Sequence, residues 1–321
     1  MIIVRSPFRI PLAGGGTDLD FYYRKRGGDL ISATIDQYIY ILISKRPLDK
    51  KILIQNTEIQ FSDNIKKVKN NLFREVLSHL GFKNSIQIAN ISTLPTQTGL
   101  GSSSTLTVGL IKGLLKMKNY NINKNKLAKM AYLIERQKLK FDGGWQDQII
   151  ASYGGIQRIK INKKGKFKSN GIKIKNNNLL KLESHFILVY TEETRNSEKI
   201  ITEQRKNDKK IIHNYDKIKA KVKIMEKFLI EGNVAQIGNI FHDHWIEKKK
   251  LTKNISNKKL DKMYKDMMHS KLFYGGKIIG AGGGGFFLMV TKNQNKSIEF
   301  LKKIKFRFTK IKFDHLGATI L

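Results

Sequence analysis

The sequence contains no cysteine. Disulfides, thiolate metal sites and thiol catalysis are therefore excluded. A chain without cysteine suits a reducing compartment, and a cytoplasmic location is the expectation. Nowhere do 18 uncharged apolar residues follow one another, so no membrane span is expected. The opening MIIVRSPFRIPLAGGG carries Arg5 and Arg9 inside its apolar stretch and reads as a folded strand, not a signal peptide. Acidic residues are scarce, 26 against 61 basic, for a formal charge of +35. Such an excess raises nucleic-acid binding as a possibility. The basic residues, however, are mostly lysines scattered through 163–181, 205–223 and 248–265. Base readers instead rely on arginine and on aromatics interleaved with the charge. The expectation is a surface of solvated lysines that steers small anions inward, with neither a specific nucleic acid nor a membrane as partner.

What is present is enough for one large domain or two of ordinary size: 321 residues, 40% hydrophobic. Residues 1–60 are rich in β-branched and aromatic runs, interrupted by Gly14, Gly15 and Gly16. Residues 66–81 read as a helix stopped at Gly81. SIQIANIS alternates like a strand, and TLTVGLIKGLLKM reads as an apolar helix. KLAKMAYLIERQKLKF has helical spacing at Leu127, Met130, Ala131 and Ile134. GGWQDQIIASYGG is a short helix between glycine pairs, and HFILVYT a buried strand. Residues 196–231 and 233–271 read as long polar helices with apolar stripes. GGKIIGAGGGGFFLMV reads as strand, glycine loop, strand, and the end of the chain as a helix followed by edge strands. The class expected is α+β with two domains, 1–190 and 191–321, divided softly near 185–195.

Three glycine segments and two acids carry the chemistry. Pro95 to Ser104, PTQTGLGSSS, opens a helix. Gly99 and Gly101 allow close backbone approach to a ligand, and free N–H groups at a helix N-terminus bind phosphate. Ser102, Ser103 and Ser104 add hydroxyls for phosphate oxygens or a magnesium shell, although a serine after a tight turn is also an ordinary N-cap. The sequence has no Walker A loop. Gly280 to Gly285 spells G-x-G-x-x-G but precedes FFLMV, a strand, where a dinucleotide loop must open a helix. Glu135 lies among mainly apolar neighbours late in a helix, and Asp147 lies in GGWQDQ. Phosphoryl transfer uses one carboxylate for magnesium and often another near the acceptor hydroxyl. A solvated helix face and a helix cap are the plainer readings of these two acids.

The segments RSPFRIPLAGGGTD (Arg5–Asp18), LPTQTGLGSSSTLTVGL and GGKIIGAGGGGFFL resemble the three motifs of the GHMP kinases, in the family's order and spacing, from end to end of the chain. The resemblance implies an N-terminal α+β domain meeting a ferredoxin-like C-terminal domain, with the site in the cleft, and ATP with magnesium as cofactors. It places Gly99, Leu100, Gly101, Ser102, Ser103 and Ser104 around the ATP phosphates, and Ser103 with Glu135 at magnesium. Asp147, twelve residues after Glu135, matches the aspartate assigned as catalytic base. Arg9, Gly15, Gly16, Thr17 and Asp18 of the first motif, with Gly282 and Gly283 of the third, fall on the substrate side. Gly15 and Gly16 stand where galactokinases carry Glu-His, which counts against galactose.

Among subfamilies the chain is most similar to bacterial D-glycero-D-manno-heptose 7-phosphate kinases, through AGGGTDL, GGDLISATIDQYIY, GGWQDQ and the Trp245–Ser256 stretch. That implies a phosphorylated sugar as acceptor, and a cationic clamp for its phosphate: Arg195, Lys248 and Lys249 are the candidates. A kinase for an unphosphorylated sugar such as fucose or galactose, and a nucleic-acid-binding protein on a kinase-like fold, are the alternatives. A homodimer is left open. His242 and His244 stand two apart, on different faces of a helix, and read as surface or pocket-lining residues rather than a metal pair.

Overall fold

The computed structural model describes residues 1–193 and 197–321. The chain begins β1 (Ile2–Ala13), α1 (Asp20–Arg26), β2 (Gly28–Lys45), β3 (Ile52–Gln55), β4 (Ile59–Ser62), α2 (Asn71–His79) and β5 (Ile86–Ser92). It continues α3 (Ser102–Met117), α4 (Lys124–Tyr132), α5 (Gln146–Tyr153), β6 (Ile156–Ile161), β7 (Phe167–Gly171), α6 (Asn176–Glu183) and β8 (Phe186–Tyr190). Four helices follow: α7 (Ser197–Lys206), α8 (Asp208–Ala220), α9 (Val222–Glu231) and α10 (Val234–Lys249). The last elements are α11 (Lys258–His269), β9 (Phe273–Ile278), β10 (Phe286–Thr291), α12 (Gln294–Lys303), β11 (Phe308–Lys310) and β12 (Thr319–Ile320).

The first sheet has the order β12-β1-β2-β5-β3-β4, with β6 and β7 continuing from β2. On the edge away from β1, the 18-residue β2 serves two further partners: residues 28–33 pair with β6 and residues 39–45 with β5. Helix α3 lies on this sheet. Gly109 and Gly113, one helical turn apart, make the close approach possible: a Cβ on either would stand 2.5 Å from Ile41 Cδ1 or 2.7 Å from Ile43 Cδ1. Substitution of either glycine would push α3, and the loop at its N-terminus, off the sheet.

The second sheet is antiparallel throughout, with the order β11-β8-β10-β9. The connectivity is strand, helices, strand, strand, helix, strand, which is the ferredoxin-like arrangement expected for the second half. The expected boundary at 190/191 falls at the end of β8, a strand of the second sheet, and β12 returns to pair with β1 in the first. One apolar cluster runs through both sheets, joining Ile10, Leu12 and Ile31 to Phe186, Leu188 and Phe286.

Three expected helices differ in detail. Residues 196–231 form α7, α8 and α9, and 233–271 form α10 and α11. The break before α10 is at Gly232, whose left-handed φ of 64° caps α9. The helix expected over 126–141 ends as α4 and becomes a π-helical turn over Leu133–Lys138. The wider turn carries Glu135 to full burial, behind the N-terminus of α3. Such turns recur at functional sites.

Candidate active site

Where the two sheets meet, a cavity of about 650 Å³ opens. One wall is the start of α3. Gly101 sits at its N-cap with φ 77°, a conformation that strains any side-chain-bearing residue. No side chain caps the helix, so its first amides stay available to a ligand. Ser102, Ser103 and Ser104 line the cavity beside Gly99 and Gly101. Leu100 instead points into the core, and its carbonyl accepts the Arg9 amide at 3.2 Å.

Behind these serines lies Glu135. The Ser103 and Ser104 hydroxyls donate to its two oxygens at 2.5 and 2.6 Å, and Gln148 Nε2 donates at 2.5 Å. No basic side chain pairs with this buried carboxylate among the described residues. It reaches the cavity only through the serines.

Asp147 enters from the first turn of α5 and is fixed by Arg9. Nε and Nη2 of the guanidinium donate to its two oxygens, each at 2.7 Å, and Nη1 donates to the Gly99 carbonyl. A two-pronged pair of this kind fixes position as well as charge. Arg9 thus ties the catalytic candidate to the glycine loop. Asp18 stands next to it, fully buried, accepting the Gln146 amide at 3.0 Å. Burial and, to a lesser degree, the charge of Asp147 raise its pKa. Gly144 is obligatory here, since a Cβ would lie 1.9 Å from Asp18 Oδ2.

The wall made by α10 and β9 is basic. Lys277 is 1% exposed; its ammonium donates to the Leu12 carbonyl at 2.8 Å and lies 4.5 Å from the Phe241 ring centre. Lys248 donates to the carbonyls of Ile278 and Gly280 at 3.0 and 2.5 Å. His244 lies between these lysines and β1, buried and without a hydrogen bond to any described residue. Burial, then the charges of Lys277 and Lys248, hold its pKa well below the ordinary 6.5.

The arrangement joins an uncapped helix N-terminus with hydroxyls, an oriented carboxylate and a basic wall in one cavity. Comparison with known proteins agrees. A model of the GHMP kinases N terminal domain matches residues 64–155. D-glycero-alpha-D-manno-heptose 7-phosphate kinase of Campylobacter jejuni is 32% identical over 96% of this chain and 97% of its own. The chain belongs to the GHMP kinase family. Solved GHMP-type structures share the fold at lower identity. A D-glycero-D-manno-heptose 1-phosphate kinase from Bacteroides thetaiotaomicron superposes with a TM-score of 0.82 at 23% identity, covering 100% of this chain and 99% of that one. Lactococcus lactis galactokinase, complexed with galactose, gives 0.75 at 16% identity, covering 100% and 94%.

Not every residue expected from the GHMP motifs reaches the cavity. Gly15, Gly16, Asp18, Arg9, Asp147 and Lys248 line it. Thr17 does not: its hydroxyl is buried and donates to the carbonyls of Gly14 and Asp29 at 2.7 and 2.9 Å, closing the turn. Lys249 faces away, 3.2 Å from Asp261 and over the Trp245 ring. In the third motif Gly280 and Ala281 line the cavity, whereas Gly282 packs on Ile255 and the Gly283 amide donates to the Ile255 carbonyl at 2.8 Å. Arg195 lies outside the described residues. Lys277, His244, Arg136, Gln204 and Tyr215 line the cavity as well. The sequence signal for Lys277 was a single charge in an otherwise apolar and glycine strand, GGKII.

Lys277 gives a pH prediction. Burial lowers its pKa from 10.5 to about 7. The groups facing it are Lys248, His244, the Phe241 ring and the Leu12 carbonyl, with no carboxylate paired to it among the described residues. The unfolded chain therefore binds this proton more tightly than the folded one. The cost is full below about pH 7, falls as pH climbs from 7 to 10.5, and is absent above that. Lys277→Met should be more stable than the wild type at pH 7, by about 1–4 kcal/mol. The gap should close towards pH 10.5. Urea midpoints of both proteins across this range check it; a gap that does not change with pH rules it out.

Proposed function

We propose that the protein is an ATP- and magnesium-dependent kinase acting on a sugar phosphate, with D-glycero-D-manno-heptose 7-phosphate as substrate and the anomeric hydroxyl as acceptor, giving the 1,7-bisphosphate. The observation that carries this reading is the composition of one cavity, which joins the uncapped N-terminus of α3 and its serines, a carboxylate fixed by Arg9, and buried basic groups. The GHMP family, and the 32% identity to a heptose 7-phosphate kinase, support it independently.

The ATP phosphates are held by the free amides of α3 and the hydroxyls of Ser102 and Ser103. The site fits magnesium. Ser103, Ser104 and the unpaired Glu135 offer hard oxygens, and this metal takes few protein carboxylates together with nucleotide phosphates. Bound there, magnesium neutralises charge on the phosphoryl groups. Asp147, fixed by Arg9, accepts the hydrogen bond of the acceptor hydroxyl. The hydroxyl oxygen bonds to the γ-phosphorus as the bond from that phosphorus to the β–γ bridging oxygen breaks. The hydroxyl proton passes to Asp147, and ADP carries away the bridging-bond electrons. Because such transition states are loose, alignment contributes more than proton removal.

The test is a comparison of kcat/KM, by ADP release, for heptose 7-phosphate, free heptose, galactose and fucose. The phosphorylated sugar should lead by at least about tenfold, as expected for one charge-assisted contact. Equal use of heptose and its 7-phosphate would make an unphosphorylated-sugar kinase the better description.

A further inference from the structure

The basic wall has a property that catalysis at Asp147 does not explain. Isolated cations are rarely buried, because the lost hydration is returned only by a charged partner. Lys277 is 1% exposed and His244 8%, and neither is paired with a carboxylate among the described residues. Lys277 has three N–H donors and uses one on Leu12, and His244 uses neither ring nitrogen on a described residue. Both side chains line the cavity with Lys248. These unused donors face the cavity, and an anion is the ligand that meets them with both acceptors and charge.

The position of this wall relates it to the acceptor site. On β1, Arg9 contacts Asp147 and the Leu12 carbonyl contacts Lys277. Leu12 is three strand steps beyond Arg9, about 10 Å of rise along β1. Asp147 and Lys277 line the same cavity, so a group held at Lys277 shares it with an acceptor held at Asp147. Gly15 lines the cavity beside His244: a Cβ there would stand 4.0 Å from His244 Cε1, an ordinary contact.

We infer that Lys277 and His244, with Lys248 beside them, form a buried subsite for the phosphate that the acceptor sugar already carries. This rests on the reading of the acceptor as a sugar phosphate. Lys277 and His244 are then specificity-determining residues: they select against the free sugar because an empty subsite leaves buried donors unmet. Binding a phosphate dianion also draws protons onto both groups, whose burial otherwise disfavours the charged forms.

The test uses Lys277→Met and, as an independent probe less disturbing to packing, His244→Gln. Inorganic phosphate is titrated by calorimetry into each protein already saturated with magnesium and a non-hydrolysable ATP analogue, so that the α3 amides are occupied. The wild type should bind one phosphate and take up protons at pH 8, seen as a heat that depends on the buffer. Either variant should weaken this binding by about 10- to 100-fold, and raise KM for heptose 7-phosphate similarly while KM for ATP stays within about twofold. Should the wild type bind phosphate in this Lys277-dependent way without phosphorylating any sugar phosphate, the subsite stands and the reading of the acceptor falls. Phosphate binding and KM unchanged in both variants, or loss of ATP and sugar-phosphate affinity in equal measure, would overturn the subsite.

Discussion

Asp147→Asn should lower kcat by about 10² or more while leaving the affinity for ATP little changed. A positioned general base contributes about 10²–10⁴-fold, and asparagine keeps the size of the side chain while losing its charge and basicity. The structure adds a second cost. Arg9 donates to both oxygens of Asp147, at 2.7 Å each, so the amide must turn an N–H towards a guanidinium N–H. The carboxamide then leaves its place, and alignment of the acceptor is lost with basicity. In the proposed site the ATP phosphates are held by the α3 amides, which the substitution leaves untouched. Single-turnover rates with heptose 7-phosphate, together with nucleotide binding by fluorescence, read the two quantities separately. A kcat within tenfold of the wild type would remove Asp147 from the chemistry.

Glu135→Gln is the second large effect. The carboxylate accepts from Ser103, Ser104 and Gln148 with no donor of its own. Glutamine removes the charge these donors meet, and its NH₂ group turns the Ser103 hydroxyl from donor to acceptor. A hydrogen bond to a charged group contributes about 1.5–3 kcal/mol, one to two decades in an equilibrium constant. The magnesium concentration for half-maximal turnover should rise by that factor. Ser103→Ala should shift it in the same direction and less. If both variants keep the wild-type midpoint, the assignment of Ser103 and Glu135 to magnesium fails.

The glycine segments were legible because their chemistry is local. Gly101 at the N-cap and the serines after it follow from the loop's own sequence, as does the failure of Gly280–Gly285 to open a helix. The ferredoxin-like second half was legible through the family resemblance, and the sheet order agrees with it. Burial of charge was not legible. In a chain with 61 basic residues, Lys277 looks like any other solvated lysine. Only the crossing of β9 over Leu12 and Phe241 removes it from water. Lys249 shows the reverse: one position after Lys248 on α10, it is turned about 100° from the cavity and pairs with Asp261. Thr17 sits in a matching motif, yet its hydroxyl closes the turn between Gly14 and Asp29 instead of facing the ligand. The boundary at Gly232 was legible, but the divisions inside the two polar segments, at Asn207, at Lys221 and over 250–257, were not, because periodicity alone does not report a change of direction.

Phosphorus NMR of the product is the most direct measurement of the central claim. With ATP, magnesium and heptose 7-phosphate, the γ-phosphate signal of ATP should disappear as ADP forms. A new phosphate resonance coupled to the anomeric proton should grow in equal amount, while the 7-phosphate signal persists. Release of the γ-phosphate as inorganic phosphate, or no new sugar-linked resonance, would contradict the account.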